Sequence, residues 1–151
     1  MTATMNAPTP VRAPWHLWVV GIVAILWNGF GAYDYVCTNV QGDAYMRSVG
    51  MNDAQIAYFH AMPAWMTAVW AVGVWGGVLG GLMLLLRSKW ALHVFAASLI
   101  AFVLSLVYAY GLSNGGEVMG QQVMIMQGVI LASCLFFVWY ARRVTQQGLL
   151  R

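Results

Sequence analysis

Four long apolar runs separated by polar breaks set the pattern of this chain. They extend from Trp15 to about Tyr33, from Pro63 to Leu86, from Trp90 to Leu112 and from about Val118 to Tyr140. The second run holds no charged residue in 24 positions. At about 1.5 Å per residue it is long enough to cross a bilayer core. Backbone in lipid must satisfy its own hydrogen bonds, so each run predicts a helix. The expected fold is all-α: an integral membrane four-helix bundle with helices at about 15–33, 63–86, 90–112 and 118–140.

The breaks predict the rest of the organisation. Residues 1–14 hold three of the four prolines and one charge, Arg12, and are expected to form a disordered tail. A basic residue before an apolar run suggests a signal peptide. This run is long for one, and no small-x-small cleavage site follows it, so an uncleaved first helix is expected. Asp34 to Met62 is the one substantial loop. Within it Asn52 or Asp53 is placed to cap a short amphipathic helix through Phe59, with Ile56 and Phe59 on one face against the bilayer surface. Arg87-Ser88-Lys89 divides the second run from the third, and the turn sequence SNGGE divides the third from the fourth. Arg142 and Arg143 close the last run, and residues 144–151 are expected to be a tail.

Charge supplies an orientation. With the N-terminus cytoplasmic, Arg12, Arg87, Lys89, Arg142, Arg143 and Arg151 all lie inside and only Arg47 lies outside. The positive-inside rule therefore predicts N-in, C-in, with both tails cytoplasmic. Trp15, Trp18, Trp65, Trp90, Trp139 and Tyr140 then fall near helix ends, where aromatic rings favour the headgroup zone. Composition agrees with this class: 62% of residues are hydrophobic and 7% charged. The net charge of +3 comes from basic residues scattered singly or in pairs, which build no phosphate-binding face, so nucleic acid is not an expected partner.

The second run carries two glycine rows, Gly73-Gly77-Gly81 and Gly76-Gly80, each at a spacing of four. In water each glycine would cost a helix roughly 1 kcal/mol relative to alanine. In lipid the bare stripes instead let other helices approach the backbone closely. One row is expected to serve the bundle, and the other to meet a second copy or a larger membrane complex.

Depth sorts the polar residues. Asn28 lies about 20 Å along the first helix, with Asp34 about two turns further. Tyr108, Tyr110, Gln121, Gln122 and Gln127 reach the same outer level. Polar groups at such depth face other helices or a watery cavity. One reading is a pocket walled by Trp27, Trp70, Tyr108 and Met124, with Asn28, Asp34 and Gln127 as its polar contacts. The other is that Asn28 and Gln127 only hydrogen-bond across the bundle while Asp34, ending its helix, meets water.

Remaining chemistry is thin. His16 and His93 start helices at the same face, and axial haem ligation would need them on facing helices. His60 stands in the outer loop. Met62, Met119, Met124 and Met126 are soft thioethers, but Met124 and Met126 fall on nearly opposite helix faces and build no copper cluster. Cys37 and Cys134 fit no zinc or redox spacing, and a disulfide between them is not expected. With no nucleophile and base, phosphate loop or acid pair, the chain is expected to be non-enzymatic, with no cofactor and no metal.

The runs PWHLWVVGIVAILWNGFGAYDY (Pro14 to Tyr35), AYFHAMPAW (Ala57 to Trp65) and GVWGGVLGGLMLLLRSKWA (Gly73 to Ala91) resemble a family of small four-helix inner-membrane proteins of Proteobacteria. Some of its members carry a sugar-transporter label. The resemblance implies a multi-pass protein of a bacterial inner membrane and supplies no binding residues. An accessory or scaffold subunit in the bilayer, forming a homo-oligomer or joining a larger complex, is the expected role. Small-solute binding or transport through a periplasm-facing pocket is the alternative.

Overall fold

A computed structural model describes residues 9–151, and the part of the expected N-terminal tail before them lies outside the described residues. The chain forms α1 (Trp15–Gln41), α2 (Asp43–Ser48), α3 (Asp53–Ala61), α4 (Ala64–Leu85), α5 (Trp90–Val107) and α6 (Gly115–Gln146). A π-helical turn, Tyr108–Leu112, extends α5. No strand occurs among the described residues. Four helices are long and apolar enough to cross a membrane: α1, α4, α5 with its π turn, and α6. Their outward faces carry Phe30 at 76%, Ile100 at 60% and Ile125 at 62% exposure. Apolar flanks of this extent suit a bilayer and not water.

Packing follows from the glycines of α4. This helix lies between α1 and α5 and packs against both. Gly77 and Gly81 face α1. A Cβ on Gly81 would stand 2.9 Å from Ile25 Cγ1 and 3.0 Å from Ala24 Cβ, and one on Gly77 would run into the Asn28 side chain. Gly76 and Gly80 face α5, where added carbons would meet Ser98 Cβ at 3.3 Å and the Phe95 ring at 2.8 Å. Gly21 of α1 reciprocates beneath Leu85, with 2.6 Å to Leu85 Cδ2. Four glycines of the two rows therefore meet a neighbour inside the bundle, and Gly73 alone of the five does not. The rows do not divide between the bundle and its exterior within this chain, because two neighbours approach α4 from adjacent directions.

The helices close most tightly at the end where α1 begins and α6 finishes. Leu17, Leu84, Phe95, Phe137 and Val144 form a core there, and Phe95 stacks on Phe137 at 5.3 Å. The 144–151 segment is not a free tail. Helix α6 runs on to Gln146, and Leu149 and Leu150 are buried in the same core. Arg87, in the turn after α4, has φ 56°, and its Nε donates to Leu149 O at 3.0 Å while its Nη2 donates to Val11 O at 2.9 Å. Lys89 N donates to Arg151 O at 2.9 Å, and Arg151 N to Arg87 O at 2.7 Å.

At the opposite end the boundaries differ from expectation. Helix α1 continues two turns past Tyr33, so Asp34 lies inside a helix and does not end one. Two short helices replace the loop. Asn52 caps α3 by accepting from Gln55 N at 2.9 Å, while Gln55 Oε1 accepts from Asn52 N at 3.0 Å, a reciprocal pair that fixes the helix start. Ile56 is only 4% exposed, so α3 turns that residue into the protein and not toward a bilayer surface. The last helix starts at Gly115, not Val118, and kinks at Gly120, whose φ of 82° and ψ of 177° belong to glycine.

Glycine substitutions separate these roles. Gly80→Ala and Gly81→Ala are expected to cost about 1–3 kcal/mol each by overpacking. Gly73→Ala, whose added carbon meets nothing within 4 Å, is expected to leave stability near wild type. Thermal unfolding of the three variants in detergent checks the ranking, and equal midpoints would contradict the packing described.

Candidate functional site

The end away from the tight core is hollow. A cavity of about 410 Å³ is lined by every helix of the bundle and lies in the size range of small-ligand pockets. The side chains of α4 explain it. Past Gly73, toward the start of the helix, the glycines give way to Trp70 and Met66, which line the cavity. From α1 come Asn28, Asp34 and Thr38. The two short helices fold across the rim and contribute Tyr45, Met46, Tyr58 and Phe59. From the far side come Ser105, Tyr108 and Tyr110, and α6 adds Met119, Gln127 and Cys134.

Of the seven residues read from sequence as a pocket, five line this cavity: Asn28, Asp34, Trp70, Tyr108 and Gln127. Trp27 does not. It is 41% exposed and points away from its neighbour Asn28, as adjacent helical positions do. Met124 is 48% exposed and borders a separate shallow groove beside Tyr110 and Glu117. Gln121 and Gln122 are exposed.

One polar contact is local and the others join different elements. Asn28 Nδ2 donates to Ala24 O at 2.8 Å, one turn back on its own helix, and the amide lies over the bare backbone of Gly77. Gln127 Oε1 accepts from the Tyr110 hydroxyl at 2.5 Å, linking α6 to the π turn. Asp34 Oδ1 accepts from the Tyr45 hydroxyl at 2.8 Å, which ties α2 to α1. Ser113 Oγ donates to Tyr108 O at 2.8 Å, so the Tyr58 hydroxyl, 2.7 Å from Ser113 Oγ, is the donor of that pair. Gln55 Nε2 donates to Met119 O at 3.3 Å, which ties α3 to α6. Aromatic edges complete the wall: Trp70 meets Tyr35 at 5.0 Å and Phe59 at 6.1 Å, and Trp65 meets Tyr108 at 5.6 Å.

Histidines and methionines settle elsewhere. His16 Nδ1 is 2.5 Å from the Tyr140 hydroxyl, and His93 lies against Trp90 at 5.2 Å on a helix separated from α1 by α4. His60 Nε2 pairs with Asp43 Oδ1 at 2.6 Å, and Arg47 with Asp53 at 2.7 Å. Both pairs are well exposed and add little stability. Among the described residues no three His, Cys, Asp or Glu side chains converge. The methionines that gather at the cavity are Met46, Met51, Met62, Met66 and Met119, the first three of them from the segment read as a loop. A signal was present: Tyr45, Met46, Ile56, Tyr58 and Phe59 make that stretch too apolar for a solvated connection.

No family model, curated protein or solved structure matches the chain. The site therefore rests on its own geometry.

Tyr45 stands outside the membrane-spanning helices and reports on Asp34. Its hydrogen bond to that carboxylate, helped by burial and by the negative charge, pushes the phenol from its usual 10.0 up to about 12. The folded value lies above the unfolded one, so the stabilisation is complete below about pH 10 and is lost as pH rises through about 12. In Asp34→Asn the phenol is expected to titrate lower, back toward 10. NMR of ring-labelled tyrosine, assigned with Tyr45→Phe, measures the change, and an unmoved titration would break the pairing.

Proposed function

We propose that this chain is a non-enzymatic, multi-pass protein of a bacterial inner membrane that binds, and moves or presents, a small ligand held in the cavity at the polar end of its bundle. The observation that carries this reading is the cavity itself. It reaches Asn28 and Asp34, draws on every helix, and lies where large side chains of α4 replace glycine. Hydrogen bonding between helices takes up Gln127, through Tyr110, and one oxygen of Asp34, through Tyr45, and leaves the second Asp34 oxygen without a protein partner among the described residues. Asn28 bonds within its own helix and packs on Gly77, so it borders the cavity without tying two helices together.

A scaffold role drew its support from a spare glycine row, and α1 and α5 meet four of the five glycines. The partner this reading keeps is the lipid bilayer around the apolar flanks. Six of the seven basic residues favour an N-in, C-in orientation, which opens the cavity toward the periplasm. The resemblance to small proteobacterial inner-membrane proteins supports the location.

Gly73→Leu tests the reading, because Gly73 borders the cavity and an added Cβ there meets nothing within 4 Å. Wild-type protein purified in mild detergent is expected to carry a small molecule detectable by native mass spectrometry, and Gly73→Leu to lose it with its unfolding midpoint intact. Matching spectra from the two proteins would remove the proposal. Orientation has its own check. Ser88→Cys and Asn114→Cys are expected to react with impermeant maleimide from opposite sides of the membrane, and labelling from one side would overturn the topology.

A further inference from the structure

The cavity wall has an unbalanced charge inventory. Asp34 is its single charged residue, and no Lys, Arg or His lines it. One carboxylate oxygen takes the Tyr45 hydroxyl. Among the described residues the other takes no hydrogen bond and no ion pair, since the two ion pairs found involve Asp43 and Asp53. Asp34 is half-buried in a mostly apolar wall, where a positive partner would offset the partial loss of water around its carboxylate.

The surrounding surfaces suit one kind of partner. Trp70, Phe59, Tyr58 and Tyr108 present aromatic rings to the cavity. Ring faces carry partial negative charge and attract organic cations, most strongly where water is excluded. Met46 and Met66 add polarizable, adaptable walls that fit ligands of varied shape. An anion would meet Asp34 with no cation to offset it. A sugar would need fixed hydrogen-bonding partners around its whole ring. Here the Asn28 and Gln127 side chains each already spend one group on protein partners.

Resting on the reading that the cavity holds a small ligand, we infer that its ligand class is an organic monocation with an apolar or aromatic body, an amine or quaternary ammonium compound. Asp34 supplies the counter-charge and the Trp70 side of the cavity the aromatic contact. Tyr45, by holding one carboxylate oxygen, orients the other toward the ligand.

The test uses the full chain in lipid nanodiscs and follows tryptophan fluorescence. Three ligands of similar size are titrated: benzyltrimethylammonium, its neutral isostere neopentylbenzene, and phenylacetate. Only signal abolished by Gly73→Leu counts as cavity binding. The cation is expected to bind at least tenfold more tightly than the neutral compound, with the anion weakest. Asp34→Asn is expected to reduce that preference to less than threefold, and Trp70→Leu to weaken the cation several-fold. If cation and isostere bind alike and Asp34→Asn changes nothing, the charge inference fails while the cavity reading stands. Tighter binding of glucose than of the cation would also overturn it. If no ligand gives a signal sensitive to Gly73→Leu, both readings fall together. The comparison of three ligands on wild-type protein decides the charge question even if Asp34→Asn does not fold.

Discussion

Close approach of bare backbone on α4 to its two neighbours is the constraint from which the architecture follows. Lipid offers no hydrophobic drive for helices to associate, so contact area and fit must hold them. Gly77 and Gly81 let α1 come within touching distance, and Gly76 and Gly80 do the same for α5. A single helix thus sets the spacing of both neighbours. Leu17, Leu84 and Phe137 then fill the space at that end, where α6 closes the core.

The same helix explains why the bundle is hollow elsewhere. Glycine stops at Gly73, and Trp70, Met66 and Trp65 follow toward its start. Side chains of that size cannot sit between helices at glycine-mediated distances, so the helices separate. Polar residues occupy the widened end because a cavity wall is where a polar group escapes lipid. Taper of one helix and polarity of one end are two aspects of a single arrangement. The short helices over the rim belong to it as well, since Ile56 and Met46 are buried against the protein.

The four spans were legible from sequence because each is a long apolar run, and hydropathy reads length and composition directly. Asn28, Asp34, Trp70, Tyr108 and Gln127 were legible as a group by depth along their helices. Rotation about the helix axis was not, which is why Trp27 and Met124 were assigned to the wrong side. The end of α1 was obscured because Thr38, Asn39 and Gln41 lower its hydropathy without breaking the helix, and Gly42 with φ 60° supplies the real stop. The C-terminal segment looked polar because Gln146 and Gln147 mask Leu149 and Leu150. Burial of those leucines depends on the Arg87 hydrogen bonds, a tertiary contact that no local pattern encodes. Use of both glycine rows was equally hidden, since spacing shows that a groove exists and not who fills it.

Arg87 joins three separate parts of the chain at one point: the turn after α4, the segment before α1 and the segment after α6. A knot of this kind acts as a pivot. Small tilts about it move the far rims most, because displacement grows with distance from a fixed point. The glycine grooves meanwhile lock the axial register of α1 and α5 on α4. Helices α1 and α6 share no broad contact, so the seam between them is held at the Arg87 end and bridged at the wide end by the short helices α2 and α3.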